Sequence, residues 1–256
     1  MCKYVCIFMV YSFLGWVYET ILLTVQNRKW ENRGFLFGPI CPIYGVGAVT
    51  IILLMALTQR HGIELRAWQV FAVSVVGSAI LEYFTSWGLE KLFHAKWWDY
   101  SNWPLNLQGR ISLLTSLGFG LAGLLIVYCL APFTARLIGG IPPLLTELFA
   151  LLTTSVLMID LTLTVTVLRH FDQTVTHYDE IFNRSMDTLV DSAVQKTASI
   201  RQEVSTRQKL ISMRFASMSG VARSAISRVK GFKYDGEKAR EAVDMIVSFI
   251  KRHGKR

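Results

Sequence analysis

The residues of this sequence that could do chemistry are three carboxylates and those of one aromatic loop. Glu19, Glu82 and Asp160 each lie inside a long apolar run. Residues 97–110, WWDYSNWPLNLQGR, lie between two such runs and are called the tryptophan loop. An unpaired charge at the centre of a membrane helix costs about 2.5 to 3.5 kcal/mol on insertion scales. We therefore expect the carboxylates to be paired with a cation or protonated.

The tryptophan loop is typical of a segment at the membrane boundary, where a large ring is buried while its N–H or O–H stays hydrated. Two interpretations remain open. The loop is an aromatic anchor that sets membrane depth, or its polar residues Asp99, Asn106 and Arg110 cap a polar site inside the membrane.

The second interpretation predicts a binding or structural polar cluster. Arginine suits such a cluster because its planar fork can serve two carboxylates and stays charged when buried. We expect Arg110 to pair with Glu19 and Glu82, with Asp99 and Asn106 holding it and Arg33 supplying a second cation. The cluster thus comprises Glu19, Arg33, Glu82, Asp99, Asn106 and Arg110. Further candidates are Tyr44, Trp98, Tyr100 and Asp160.

The elements that must position these residues are membrane helices. The chain has 256 residues, of which 52% are hydrophobic and 18% charged, and its mean hydropathy is +0.38. The chain is thus more apolar and less charged than an average soluble domain. Apolar runs long enough to cross the hydrocarbon core predict five spans, at about residues 4–25, 39–58, 68–91, 111–130 and 144–168.

The predicted fold is therefore an all-α membrane helix bundle with about five transmembrane helices and a long, helical, basic C-terminal tail. Residues 1–168 form the bundle and 169–256 the tail. Four glycines and two prolines within residues 34–47 favour either an unwound entry to the second span or close helix packing. Gly118, Gly120 and Gly123 are suited to tight contact in the fourth span, which we expect Pro132 and Arg136 to close.

The tail carries most of the charge. Residues 169–256 contain 17 Lys and Arg against 10 Asp and Glu. Apolar residues recur every 3.6 positions from 171 to 229, which predicts an amphipathic helix continuous with the fifth span. We expect a turn near Gly231 and a last helix, 237–251, whose face includes Ile246 and Phe249. The basic surface is either a solvated face or a site for anionic lipid or an acidic partner.

An odd number of spans puts the chain ends on opposite sides. We call the side of the first connector, the tryptophan loop and the tail the B side. Its connectors hold six cations, Arg28, Lys29, Arg33, Lys91, Lys96 and Arg110, against four on the other side. The positive-inside rule then predicts a multi-pass cell-membrane protein with the N-terminus outside and the tail in the cytoplasm.

Several of these motifs together resemble a known family. The segments are GWVYE at 15–19, RG at 33–34, GP at 38–39, PIYG at 42–45, EY at 82–83, and WDYS at 98–101 leading to Asn106 and Gly109-Arg110. They resemble the bacterial membrane family labelled putative ABC-transporter type IV, or putative ABC transporter permease. The resemblance covers roughly residues 8–130 and implies transport. It does not extend to the tail.

The sequence also limits the chemistry. It contains no G-x-x-x-x-G-K-[ST] loop, so any ATPase would be a separate chain. Neither H-E-x-x-H nor G-x-S-x-G occurs, and the four cysteines form no CxxC pair. We therefore expect no enzyme activity, no metal, no cofactor and no nucleic-acid partner.

Two function classes remain. The chain is a transporter permease subunit with a polar site in the cytoplasmic half of the bundle, or a non-transporting scaffold or lipid-interacting protein. In the second class, the helical tail binds a partner or the membrane surface.

Overall fold

The computed structural model describes residues 2–28, 34–192, 220–234, 243–244 and 247 of the chain. It is an α-helical bundle with five helices long and apolar enough to cross a membrane, at 2–26, 42–60, 67–93, 113–139 and 143–173. The predicted fold class and the five spans are confirmed.

The helices are connected with very little sheet. The helical elements are α1 (Cys2–Asn27), α2 (Pro42–Arg60), α3 (Ala67–Phe93), α4 (Leu113–Leu125), α5 (Ala131–Gly139), α6 (Pro143–Ser192) and α7 (Gly220–Arg228). Four two-residue strands complete them: β1 (Ala95–Lys96), β2 (Asn106–Leu107), β3 (Ile111–Ser112) and β4 (Gly231–Phe232).

Helix α1 is the centre of the bundle. Its apolar window is 39% buried inside the protein, against 17% for each of the other spans. It packs against α2 and α6, while α3 packs against α4. The α1–α2 crossing is close because Gly15 faces the Tyr44 ring and Gly45 faces Ser12. A Cβ at Gly45 would lie 2.1 Å from the Ser12 hydroxyl, so only glycine fits there.

The predicted glycine contacts of the fourth span are present in part. A Cβ at Gly120 would lie 2.6 Å from the Phe71 ring, and one at Gly123 would lie 2.0 Å from the Ser74 hydroxyl. Among the residues that the structure describes, no neighbouring atom lies within 4 Å of the Cβ position of Gly118. Gly120 and Gly123 therefore permit the α3–α4 contact, and Gly118 does not contribute.

The expected end of the fourth span was wrong. Pro132 does not close it, because helical structure continues through a π turn, Ile126–Leu130, into α5 and ends at Gly139. Proline lacks an N–H and its ring crowds the carbonyl four residues earlier. A wider turn directly before Pro132 relieves this conflict, so the helix continues.

The second span also begins later than expected. Helix α2 starts at Pro42, which occupies the first helical turn, instead of near Pro39. Residues 34–41 are non-helical and are called the entry loop. Gly34 has a φ of 124°, a backbone conformation that favours glycine.

Helix α6 continues beyond its candidate membrane span, 143–173, to Ser192, and the chain later returns to the bundle. Helix α7 packs against α6, and β4 pairs antiparallel with β1. We call residues 220–234 the docked segment. The predicted single helix from 171 to 229 was wrong, because α7 packs back against α6. Gly231–Phe232, where a turn was expected, form a strand. Residues 193–219 and most of the predicted last helix, with Ile246 and Phe249, lie outside the described residues.

An apolar cluster joins the docked segment to the B-side end of the bundle. Phe93, Ala95, Trp97, Leu168 and Val229 are all buried in it. The cluster draws on α3, the tryptophan loop, α6 and the docked segment. These elements therefore form one packed end of the bundle.

Candidate functional site

The entry loop lies beside the middle of two helices that are long and apolar enough to cross a membrane, α1 and α6. The Cys41 amide donates a hydrogen bond of 3.0 Å to the carbonyl of Ser12, a residue within α1. Ser12 precedes the last residue of α1, Asn27, by fifteen positions, or about 22 Å along the helix axis. Non-helical backbone is tolerated at this depth only where it is buried in protein or lines a cavity.

Asp160 of α6 satisfies the amides of the entry loop. Its carboxylate accepts hydrogen bonds from the Phe37 amide at 2.9 Å and the Gly38 amide at 2.7 Å. The Thr164 hydroxyl donates to the same carboxylate at 3.3 Å. A Cβ at Gly38 would lie 2.9 Å from the Asp160 oxygen, so glycine permits this approach. Asp160 therefore fixes the unwound backbone.

Arg228 of α7 binds the opposite side of the entry loop. Its guanidinium donates to the carbonyl of Leu36 and, at 3.4 Å, to that of Phe37. The guanidinium also lies 5.3 Å from the centre of the Phe37 ring. Burial lowers the pKa of Arg228, and the nearby charge of Asp160 opposes that change. Arginine remains charged in such sites.

Two carboxylate–tyrosine pairs lie beside this loop. The Tyr44 hydroxyl donates to Glu19 at 2.9 Å, and the Tyr100 hydroxyl donates to Glu82 at 3.3 Å. Glu82 is only 5% exposed, and its second oxygen has no hydrogen-bond partner in the described part of the chain. Glu19 is close enough for its charge to act on Glu82. These four predicted residues are thus brought together.

The expected pairing of Arg110 was wrong. Its ion-pair partner is Glu90, at 2.9 Å, and not Glu82 or Glu19. Ser86 accepts a further hydrogen bond from Arg110 at 3.4 Å. Glu82, Ser86 and Glu90 are spaced by four residues on one face of α3. Arg110 is held at Glu90, near the C-terminal, B-side end of that face. Glu82 lies two helical turns further into the bundle.

Asp99 and Asn106 do not hold the Arg110 side chain; they fix the tryptophan loop. Asp99 accepts hydrogen bonds from the Ser101 amide, at 3.0 Å, and the Ser101 hydroxyl. Asn106 donates to the carbonyls of Ser101 and Trp103 at 3.1 and 2.8 Å. Short polar side chains commonly order turns in this way.

The pKa of Asp99 follows from these contacts. Partial burial raises the pKa, but the two hydrogen bonds from Ser101 and the charges of Lys96 and Lys230 together outweigh it. The net pKa lies below the usual value.

Trp98 ties the tryptophan loop to Arg110 through the backbone. Its indole N–H donates to the Arg110 carbonyl at 2.9 Å. Strands β2 and β3 pair across the intervening turn, where Gln108 and Gly109 have positive φ. Arg33 lies outside the described residues, so its predicted role remains a prediction.

The docked segment is held by backbone and side chains. The Lys230 and Lys233 amides donate to the carbonyls of Lys96 and His94 at 2.8 and 2.7 Å. The Lys233 ammonium binds Glu90 at 3.0 Å. Glu90 therefore bridges the tryptophan loop and the docked segment.

Asp172 has a similar bridging role. It contacts the His94 ring at 2.9 Å and accepts a hydrogen bond from the Tyr234 hydroxyl at 3.0 Å. Burial, followed by the adjacent Asp172 charge, raises the pKa of Tyr234.

Sequence reasoning missed Glu90, Arg228, Lys233, Tyr234 and Asp172 as site residues. Glu90 could have been found, because it shares a helix face with Glu82. Arg228 gave no local signal, since its partner carbonyls lie about 190 positions earlier in the chain.

Comparison with known proteins gives the family. The family model described as "Putative ABC-transporter type IV" matches residues 6–165. The chain therefore belongs to this family, which confirms the resemblance. Neither the curated proteins nor the solved structures give a match to this chain.

Proposed function

We propose that this chain is a permease subunit of a transporter, with its polar site in the B-side half of the bundle. The observation that carries the proposal is the unwound entry loop at membrane depth, held by Asp160. Transporters commonly place substrate and ion sites where a helix is interrupted, because exposed peptide groups there can bind the cargo. The family assignment also supports transport.

The residues around the entry loop suit such a site. Glu82 presents a buried oxygen with no hydrogen-bond partner in the described part of the chain, and Glu19 lies near it. Buried ionisable groups in membrane spans commonly mark substrate or proton pathways. In this proposal, Glu19, Glu82, Tyr44 and Tyr100 line the path and the tryptophan loop covers it from the B side.

In this proposal, another chain supplies the energy for transport. The sequence holds no phosphate-binding loop, so we propose that a separate ATPase subunit binds at the B side and that this chain has no enzyme activity or cofactor of its own. Membrane lipids surround the exposed apolar faces of the helices.

The test is purification of the tagged full chain from its native membrane, followed by mass spectrometry of the accompanying chains. An unrelated five-span protein with the same tag is the control. We expect a chain with a phosphate-binding loop to accompany only this protein, and the complex to hydrolyse ATP. Repeated recovery without such a chain would contradict the ATP-driven permease.

We further propose that the B side is cytoplasmic in a cell membrane and that the N-terminus is outside. The support is the excess of cations in the B-side connectors and tail. Single cysteines at positions 60 and 103 test this in intact cells. We expect an impermeant maleimide to label position 60 only; labelling at 103 alone would reverse the orientation.

A further inference from the structure

The Arg228 guanidinium occupies a site made of groups that bind cations. Two peptide carbonyls, those of Leu36 and Phe37, face it. The Phe37 ring lies 5.3 Å from it, and the charge of Asp160 acts on it. Carbonyl oxygens, an aromatic face and a carboxylate charge all favour a cation in this position.

The same two peptide groups contact both charged residues. The Leu36 carbonyl and the Phe37 amide belong to one peptide unit, and the Phe37 carbonyl and the Gly38 amide belong to the next. A trans peptide directs its C=O and N–H to opposite sides. Asp160 binds both N–H groups, so both carbonyls are turned towards Arg228. The carbonyl pair is thus oriented from the bundle itself and does not depend on Arg228.

The occupant comes from the docked segment, whose side-chain contact at Lys233 is weak. The Lys233 side chain that binds Glu90 is 63% exposed, and exposed ion pairs contribute little. Residues 193–219 join α6 to the docked segment in the sequence. Arg228 therefore competes for the site as an intramolecular ligand. Cys41 lies near Arg228. Tyr44, in the first turn of α2 after Cys41, donates a hydrogen bond to Glu19.

We propose that the entry-loop carbonyls form a cation site for a guanidinium group, which Arg228 fills in the present conformation. A substrate that carries a guanidinium or a similar planar cation takes this place when the docked segment leaves. A planar fork suits two adjacent carbonyls better than a compact ammonium does. The assignment of a substrate rests on the proposed permease function, whereas the cation site does not.

The test measures equilibrium binding of radiolabelled guanidinium to the purified full chain in detergent. Arg228→Ala empties the site, and Arg136→Ala, which changes an exposed arginine, is the matched control. A second variant, Lys233→Ala with Tyr234→Phe, weakens docking and leaves the site intact. We expect saturable binding to Arg228→Ala, tighter than to wild type by about tenfold or more because the internal competitor is gone.

The control variant should bind as wild type does, and the docking variant should bind more tightly than wild type. Tetramethylammonium should not displace the label. The cation site is refuted if Arg228→Ala binds no more tightly than wild type, or if tetramethylammonium displaces the label equally well. If Arg228→Ala does not fold, Arg228→Gln, which removes the guanidinium and keeps a polar side chain, replaces it, and wild-type affinity of that variant refutes the site. If an ATPase accompanies the chain but guanidinium does not bind, the cation site is refuted and the permease proposal is not.

Discussion

The ion pair between Arg110 and Glu90 gives the sharpest energetic prediction. The two side chains are 9% and 13% exposed, so removal of Arg110 leaves a largely buried carboxylate. Breaking a buried pair typically costs about 3 to 5 kcal/mol. Lys233 still contacts Glu90 in Arg110→Ala, so we expect about 3 kcal/mol, the lower end of that range. Lys233→Ala should cost less than about 1 kcal/mol, because that lysine is mostly exposed.

A double-mutant cycle separates this pair from the pairing that sequence alone suggested. Unfolding free energies are measured by SDS titration in mixed micelles for the single and double alanine variants. We expect a coupling of about 1 to 3 kcal/mol between Arg110 and Glu90, and less than about 0.5 kcal/mol between Arg110 and Glu82. A larger coupling with Glu82 than with Glu90 would refute the pairing in the structure.

Three further predictions use the same assay. Asp160→Asn should cost about 1 to 3 kcal/mol, because a carboxamide cannot accept from both entry-loop amides; a loss under about 0.5 kcal/mol would show that the loop does not need the carboxylate. Gly123→Ala should cost about 1 to 3 kcal/mol through a clash with Ser74, while Gly118→Ala should be nearly neutral; equal losses would contradict the α3–α4 contact. The pKa of Asp99 is lowered in the folded state, so its contribution is present above its unfolded pKa of about 3.9 and is lost as pH falls through the lower folded value. Asp99→Asn should therefore lose less stability than wild type between neutral pH and about pH 3; parallel losses would contradict this assignment.

The five spans could be predicted because length and apolar composition decide whether a helix crosses the membrane, and neither depends on distant contacts. The tight helix crossings were predicted at Gly120 and Gly123 for a similar reason, since a small residue allows close approach. Gly118 shows the limit of that reasoning, because its helix face meets no neighbour. Local composition indicates which contacts are permitted, but the packing decides which are made.

The polar contacts could be predicted only in part. The sequence predicted that Glu19 and Glu82 lie in the B-side half of the membrane and offered Tyr44 and Tyr100 as further candidates. The structure brings these four residues together. The partner of Arg110 depends on the path of the tryptophan loop, which Asp99 and Asn106 determine through turn hydrogen bonds. Depth along α3 then selects Glu90 over Glu82.

For residues 34–47 the sequence left two alternatives open, an unwound entry to the second span and close helix packing. The structure has both. Residues 34–41 are unwound, while Gly45 gives close packing against α1. The contact with Arg228 could not be predicted, because it joins residues far apart in the chain whose local sequence carries no motif. Such a contact follows from the return of the docked segment to the bundle.

If the entry loop lies within the membrane-spanning part of the protein, Cys41 should be shielded from aqueous reagents. The variant retains Cys41 and has serine at the other three cysteines; a companion variant carries its single cysteine at Gln26, an exposed position near the B-side end of α1. Both are treated with an impermeant maleimide in membranes open to both sides. We expect prompt labelling at position 26 and resistance at Cys41, which is 4% exposed. Labelling of Cys41 as fast as position 26 would show that the loop lies at the aqueous surface and outside the membrane-spanning part.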